Sequence, residues 1–183
     1  VNEICRRLAE TRLDQGRYEE ALVLGQRALS SASRIDDQYE RAITCRIVGL
    51  AYGRVGQPRE AEQFLGEAVD SLTRIGESFE LAQTLLRSGR HRTDEIERTL
   101  DDLKKAFGIF LSLGTRGYAA LAACEMAEVQ FQADRLDEAI LSLDRALDLT
   151  SETEEPALRG RITRLRLEVG EGDREGRLLA EQS

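Results

Sequence analysis

At 183 residues and 20.5 kDa the chain is long enough for one sizeable domain or one repeat array. Its 41% hydrophobic and 33% charged residues describe a folding chain, while two prolines, 5% aromatics and no Trp speak against a β-sandwich. A formal net charge of −8 repels phosphate backbones, which excludes nucleic acid as an expected direct partner, and no apolar run nears the ~20 residues of a membrane span.

In chain order, the opening VNEICRRLAE has neither a secretory apolar core nor an initiator Met. It reads like the interior of a repeat, so a fragment of a longer polypeptide is expected. Helices are predicted over about 2–15, 17–34, 38–55, 58–74, 77–90, 94–113, 116–133, 136–149, 155–170 and 173–182, five pairs in all. In the third, Ala42, Cys45, Val48, Gly49 and Tyr52 form one stripe; in the fourth, Ala61, Leu65, Ala68 and Leu72 form the next. Pro58 suits a first helical turn, Gly76 and Gly114 suit left-handed caps, and Thr93-Asp94 with Glu97 suits the start of the sixth helix. The acidic, Pro-containing SETEEP (151–156) separates the last pair. Cys5, Cys45 and Cys124 are odd in number and lie inside helical patterns, the usage of small buried hydrophobes in a reducing cytoplasm.

The helices repeat. GRYEEALVLGQRAL (16–29) aligns with GQPREAEQFLGEAV (56–69) and DRLDEAILSLDRAL (134–147). Small residues recur at Ala21, Ala61 and Ala139, then at Ala28, Ala68, Ala106 and Ala146, the latter at intervals of 40, 38 and 40. Small side chains at a crossing let two helix backbones approach closely.

Val48-Gly49, Tyr52, Gly56, Ala61 and Ala68 resemble the tetratricopeptide repeat pattern. Ala9 and Ala127 stand in for the Gly, Arg12 and Gln130 for the Tyr, and Thr99 for an Ala, over a period longer than the family's usual ~34 residues. The resemblance implies an all-α, right-handed α-solenoid of about five antiparallel helix pairs, with units near 2–37, 38–76, 77–114, 115–150 and 155–183. It also implies a protein- or peptide-binding module that is not an enzyme. The long helices resemble repeat arms of bacterial regulators, which implies a part in a cytoplasmic signalling or transcription-regulating protein.

In such arrays the first helix of each pair lines the concave face. If Cys5, Leu8 and Arg12 pack inward, the face presents Arg6, Glu10 and Leu13. The corresponding residues further on are Ile43, Arg46, Leu50 and Arg54, then Leu86 and Arg90, then Leu121, Glu128 and Phe131. Apolar area among fixed cations suits an amphipathic or acidic peptide. The alternative is that the leucines pack helix on helix and the arginines are solvated. Reversing Arg46 and Arg90 to Glu is expected to block binding without disturbing the fold. The Lys/Asn carboxylate clamp of some chaperone-binding relatives is not matched.

His91, in SGRHR, is the only histidine and has no catalytic or metal partner at motif spacing; the segment reads as a solvated turn. Arg159, Arg161, Arg164 and Arg166 form a basic outer face of the ninth helix. No phosphate loop, paired-carboxylate motif or metal-ligand spacing occurs, so no cofactor and no metal are expected. A small-ligand sensor arm and a structural assembly module are the rival functions. Ile4 and Leu8 lack a preceding unit to cover them, which points to weak homodimerisation through the array's ends.

Overall fold

The computed structural model describes residues 2–35, 37–88, 95–150 and 156–181, of which 2, 33–35 and 171–181 are described by their backbone alone. Every element among them is an α-helix. They are α1 (Asn2–Asp14), α2 (Tyr18–Ile35), α3 (Gln38–Arg54), α4 (Pro58–Ile75) and α5 (Ser78–Ser88), then α6 (Ile96–Ser112), α7 (Arg116–Gln132), α8 (Leu136–Leu149) and α9 (Pro156–Glu181). The chain divides into two compact units, Val1–His91 and Arg92–Ser183.

In the N-terminal unit each helix packs on the one before it, and the first helices α1, α3 and α5 also touch in sequence. In the C-terminal unit α6, α7, α8 and α9 pack in the same consecutive way, with α9 reaching back to α7. Pro58 opens α4 and Gly76 (φ 77°) closes it, its N–H donating to Thr73 O (3.3 Å) while Glu77 N–H donates to Leu72 O (3.0 Å). Gly114 (φ 70°) closes α6 in the same manner, so both expected left-handed caps are present.

The crossings are tight where the sequence places small residues. A Cβ on Gly49 would lie 2.8 Å from Leu65 Cγ, 3.0 Å from Leu65 N and 3.1 Å from Ala61 O, so α3 meets the backbone of α4 directly. Ala21, Ala28, Ala61, Ala68, Ala106, Ala139 and Ala146 are all buried. As a result α3 is enclosed on every side from Ala42 to Leu50, and α7 from Ala122 to Ala127.

Three expectations change. The inward stripe of α1 is Ala9 and Leu13; Leu8 is 42% exposed, and Arg12 lies half-buried beside Glu20 (3.2 Å). The contact selects the smaller side chain, against the hydrophobicity that favoured leucine. The last pair is one continuous helix, because Gly170 and Gly172 each cost a helix interior only about 1 kcal/mol and no proline interrupts it. α6 begins at Ile96 with Glu95 at its cap position, while Thr93 and Asp94 lie outside the described residues, as do Arg90 and His91.

Candidate recognition face

The face formed by α1, α3 and α5 is built around a chain of charges. Arg6 Nε donates to Glu40 Oε2 (2.7 Å), and Arg6 Nη1 lies 3.8 Å from Glu10 Oε2. Glu10 Oε1 lies 3.8 Å from Arg46 Nη2, and Arg46 Nη1 donates to Glu80. Three first helices are thus joined in the order Glu40, Arg6, Glu10, Arg46, Glu80.

The sequence period positions these groups. Arg6 and Arg46 are 40 residues apart, as are Glu40 and Glu80. Each arginine, from the middle of one first helix, reaches the first turn of the next first helix 34 residues on. Thr44 and Thr84 repeat at the same interval, their hydroxyls donating back to the carbonyls of Glu40 (2.6 Å) and Glu80 (2.8 Å). Asp37 caps α3 by accepting from Glu40 N (3.0 Å), which fixes where the Glu40 side chain starts.

Electrostatics follow from burial. Burial alone would lower the Arg6 pKa, but the hydrogen bond to Glu40 and the charges of Glu40 and Glu10 raise it. Arg46 is only 3% exposed, so its guanidinium depends on those carboxylates for solvation. Tyr39, at the edge of the chain of charges, titrates above the usual phenol range, through partial burial and then through Glu80 and Glu77, against the opposing pull of Arg6 and Arg46.

The expected face is therefore corrected in detail. Leu13, Ile43, Leu50 and Leu86 are buried, the first three in one cluster with Ala9, Ile47 and Leu65, so they pack helix on helix and offer no surface to a partner. Arg6, Glu10 and Arg46 do converge, but on one another, and neither arginine is a free cation. A Glu at position 46 would sit between Glu10 and Glu80, so a charge reversal there disturbs the fold. Arg54 is exposed at the end of α3. Leu121, Glu128 and Phe131 belong to the C-terminal unit, where Phe131 packs on a core containing Ala127, Leu143 and Ile162.

That unit has its own buried charges. Arg161 of α9 donates to Glu125 (2.9 Å) and Glu128 (2.6 Å) on α7, which outweighs its burial and raises its pKa. Arg161 thus leaves the outer basic face assigned to it, whereas Arg164 and Arg166 stay exposed. Gln130, in the tyrosine place of the pattern, is buried and hydrogen-bonded to Ser142 (2.7 Å). Sequence reading missed both charge systems, although the 40-residue recurrence of Arg and Glu was a signal for the first.

No helix of the described residues is long and apolar enough to cross a membrane. Among those residues no group of three or more His, Cys, Asp or Glu is placed to hold a metal. A family model described as tetratricopeptide repeat matches residues 3–74, the stretch covering α1 to α4. No match is found among curated proteins. Repeats of this family are non-catalytic scaffolds that mediate protein–protein interaction. The helix pairing and the small residues at the crossings agree with this match, and residues 3–74 are similar to tetratricopeptide repeats.

Proposed function

We propose that the chain is a protein- or peptide-binding module whose recognition surface is the face of α1, α3 and α5 in the N-terminal unit. The observation that carries this is the chain of charges, which fixes three first helices side by side, the first two of them inside the segment where the family match falls. A surface held in place before the partner arrives costs less ordering on binding. The resemblance further supports a role inside a larger bacterial signalling or transcription-regulating protein in the cytoplasm, without catalysis or a cofactor of its own.

The test is to select 12-residue peptides on the immobilised chain by phage display and map the tightest by amide hydrogen exchange. Protection concentrated in α1, α3 and α5 is expected; protection confined to α2 and α4 would move the site to the other face.

A second reading, weak self-association through α1, is favoured by Ile4 and Leu8, one turn apart and 64% and 42% exposed. Sedimentation with rising concentration decides it, and a strictly monomeric species at high micromolar protein ends it.

A further inference from the structure

We propose that Ile4 and Leu8, on the outer side of α1, dock an amphipathic helix of a partner protein that carries glycine or alanine where it crosses Leu8. The two residues lie one turn apart and are 64% and 42% exposed. At about 100° of rotation per helical residue they point away from Arg6 and Glu10. The site is therefore separate from the charged face proposed above, and its occupant competes with self-association for the same two side chains.

The fold itself shows what covers such a stripe. The 40-residue register that pairs Arg6 with Arg46 also pairs Ile4 with Thr44, Leu8 with Val48 and Ala9 with Gly49. Thr44 and Val48 are fully buried, and Val48 lies against α2 at Gly25, where a Cβ would overlap its Cγ2. One repeat on, then, the equivalent stripe is met by an amphipathic helix through a glycine. On α1 the same stripe is apolar and open. It is also narrower: where α3 buries Ile43 and Ile47, α1 carries Glu3 and Arg7, an exposed ion pair at 2.7 Å. Less apolar area and a polar rim suit a contact that forms and releases.

The probe is a fluorescein-labelled peptide with the α2 sequence, YEEALVLGQRALSSASRI, mixed with the whole chain and followed by anisotropy. It is expected to bind. Leu8→Asp or Ile4→Asp in the chain should weaken it at least ~10-fold, since a charge then occupies the apolar stripe. Both side chains are exposed, so both variants should fold, which circular dichroism checks. Gly25→Leu made in the peptide alone should weaken binding by ~10-fold through overpacking, even though leucine raises the peptide's own helix content. Leu167→Asp, which replaces a similarly exposed leucine on α9, should change nothing. Binding that ignores Leu8→Asp and Ile4→Asp, or that falls equally with Leu167→Asp, overturns the site. A Gly25→Leu peptide that binds as tightly as the parent overturns the close crossing. Absence of peptide binding overturns the proposal; a concentration-dependent dimer that Leu8→Asp dissolves would then assign the stripe to a second copy of the chain.

Discussion

In the N-terminal unit the buried guanidiniums sit on the earlier helix and reach forward to carboxylates on the next first helix; in the C-terminal unit the carboxylates of α7 wait for Arg161 of α9. The places held by Arg46 and Glu40 fall, 78 residues on, at Cys124 and Tyr118. Cys124 is buried, and Tyr118 stacks on Phe110 with centroids 5.2 Å apart. Net charge divides unevenly too: residues 1–91 carry 13 basic and 14 acidic side chains, residues 92–183 carry 13 and 20, so nearly all of the −8 belongs to the second unit. The small residues at the crossings are common to both units and the polar clasps are not. Backbone approach defines the repeat, and each unit joins its first helices with whatever chemistry fits the space.

The comparison breaks most clearly at the clasps. Glu80→Ala leaves Arg46, at 3% exposure, with only the more distant Glu10, and should cost about 2–4 kcal/mol of stability. Glu125→Ala leaves Arg161 with Glu128 at a site 34% exposed and should cost about 1 kcal/mol. Urea melts of the two variants separate the cases; equal losses would mean that the two clasps do the same work. The double variant Arg46→Met with Glu80→Leu should recover most of the first loss, since well-packed apolar pairs commonly replace buried ion pairs without penalty.

The crossings should behave alike in both units. Ala61→Leu, Ala68→Leu and Ala21→Leu in the first, and Ala146→Leu in the second, are each expected to destabilise by roughly 1–3 kcal/mol through overpacking. Tolerance at Ala146 alone, seen in thermal melts, would show that α8 meets its neighbour less closely than α4 does. A finer contrast lies at Gly49 and its counterpart Ala127. Gly49→Ala must displace backbone atoms of Leu65 and Ala61 and should cost about 1–2 kcal/mol, whereas Ala127→Gly should cost nearer 1 kcal/mol through helix propensity and a small void.

A further expected effect is alkaline. Burial, and then the Glu67 carboxylate, push the Cys45 thiol from its ordinary 9.0 up to about 11. The folded chain therefore holds this proton more tightly than the unfolded chain. Its contribution is fully present below about pH 9 and is lost as the pH climbs towards 11. Over that window the stability advantage of the wild type over Cys45→Ala should shrink by about 1–2 kcal/mol. A constant difference would mean that the thiol is solvated.

Much of the fold was legible because its punctuation is local. Pro58, Gly76 and Gly114 mark helix ends by their own backbone preferences, so α3, expected at 38–55, is found at Gln38–Arg54. What was not legible depends on contacts between helices. Leu8 looked like core and Ala9 like filler, yet a close crossing prefers the smaller side chain and turns the leucine outward. Arg6 and Arg46 looked like groove cations because their partners lie 34 residues away and meet them only once the pairs stack. Arg6, Glu10 and Arg46 lie near one another, while Ile43 and Leu50 are buried because α3, packed against four helices, has no solvated side between Ala42 and Leu50 to give its pattern a period.

Alanine is the commonest buried apolar residue among those described, 17 of 36, so each close crossing removes little apolar area from water. The heat capacity of unfolding scales with that area, and for this chain it should fall below the ~12–15 cal/mol/K per residue of ordinary domains. A small heat capacity change flattens the dependence of stability on temperature. Helices that meet through alanines hold together weakly but evenly, over a wider thermal range than a leucine-filled core of equal stability would allow.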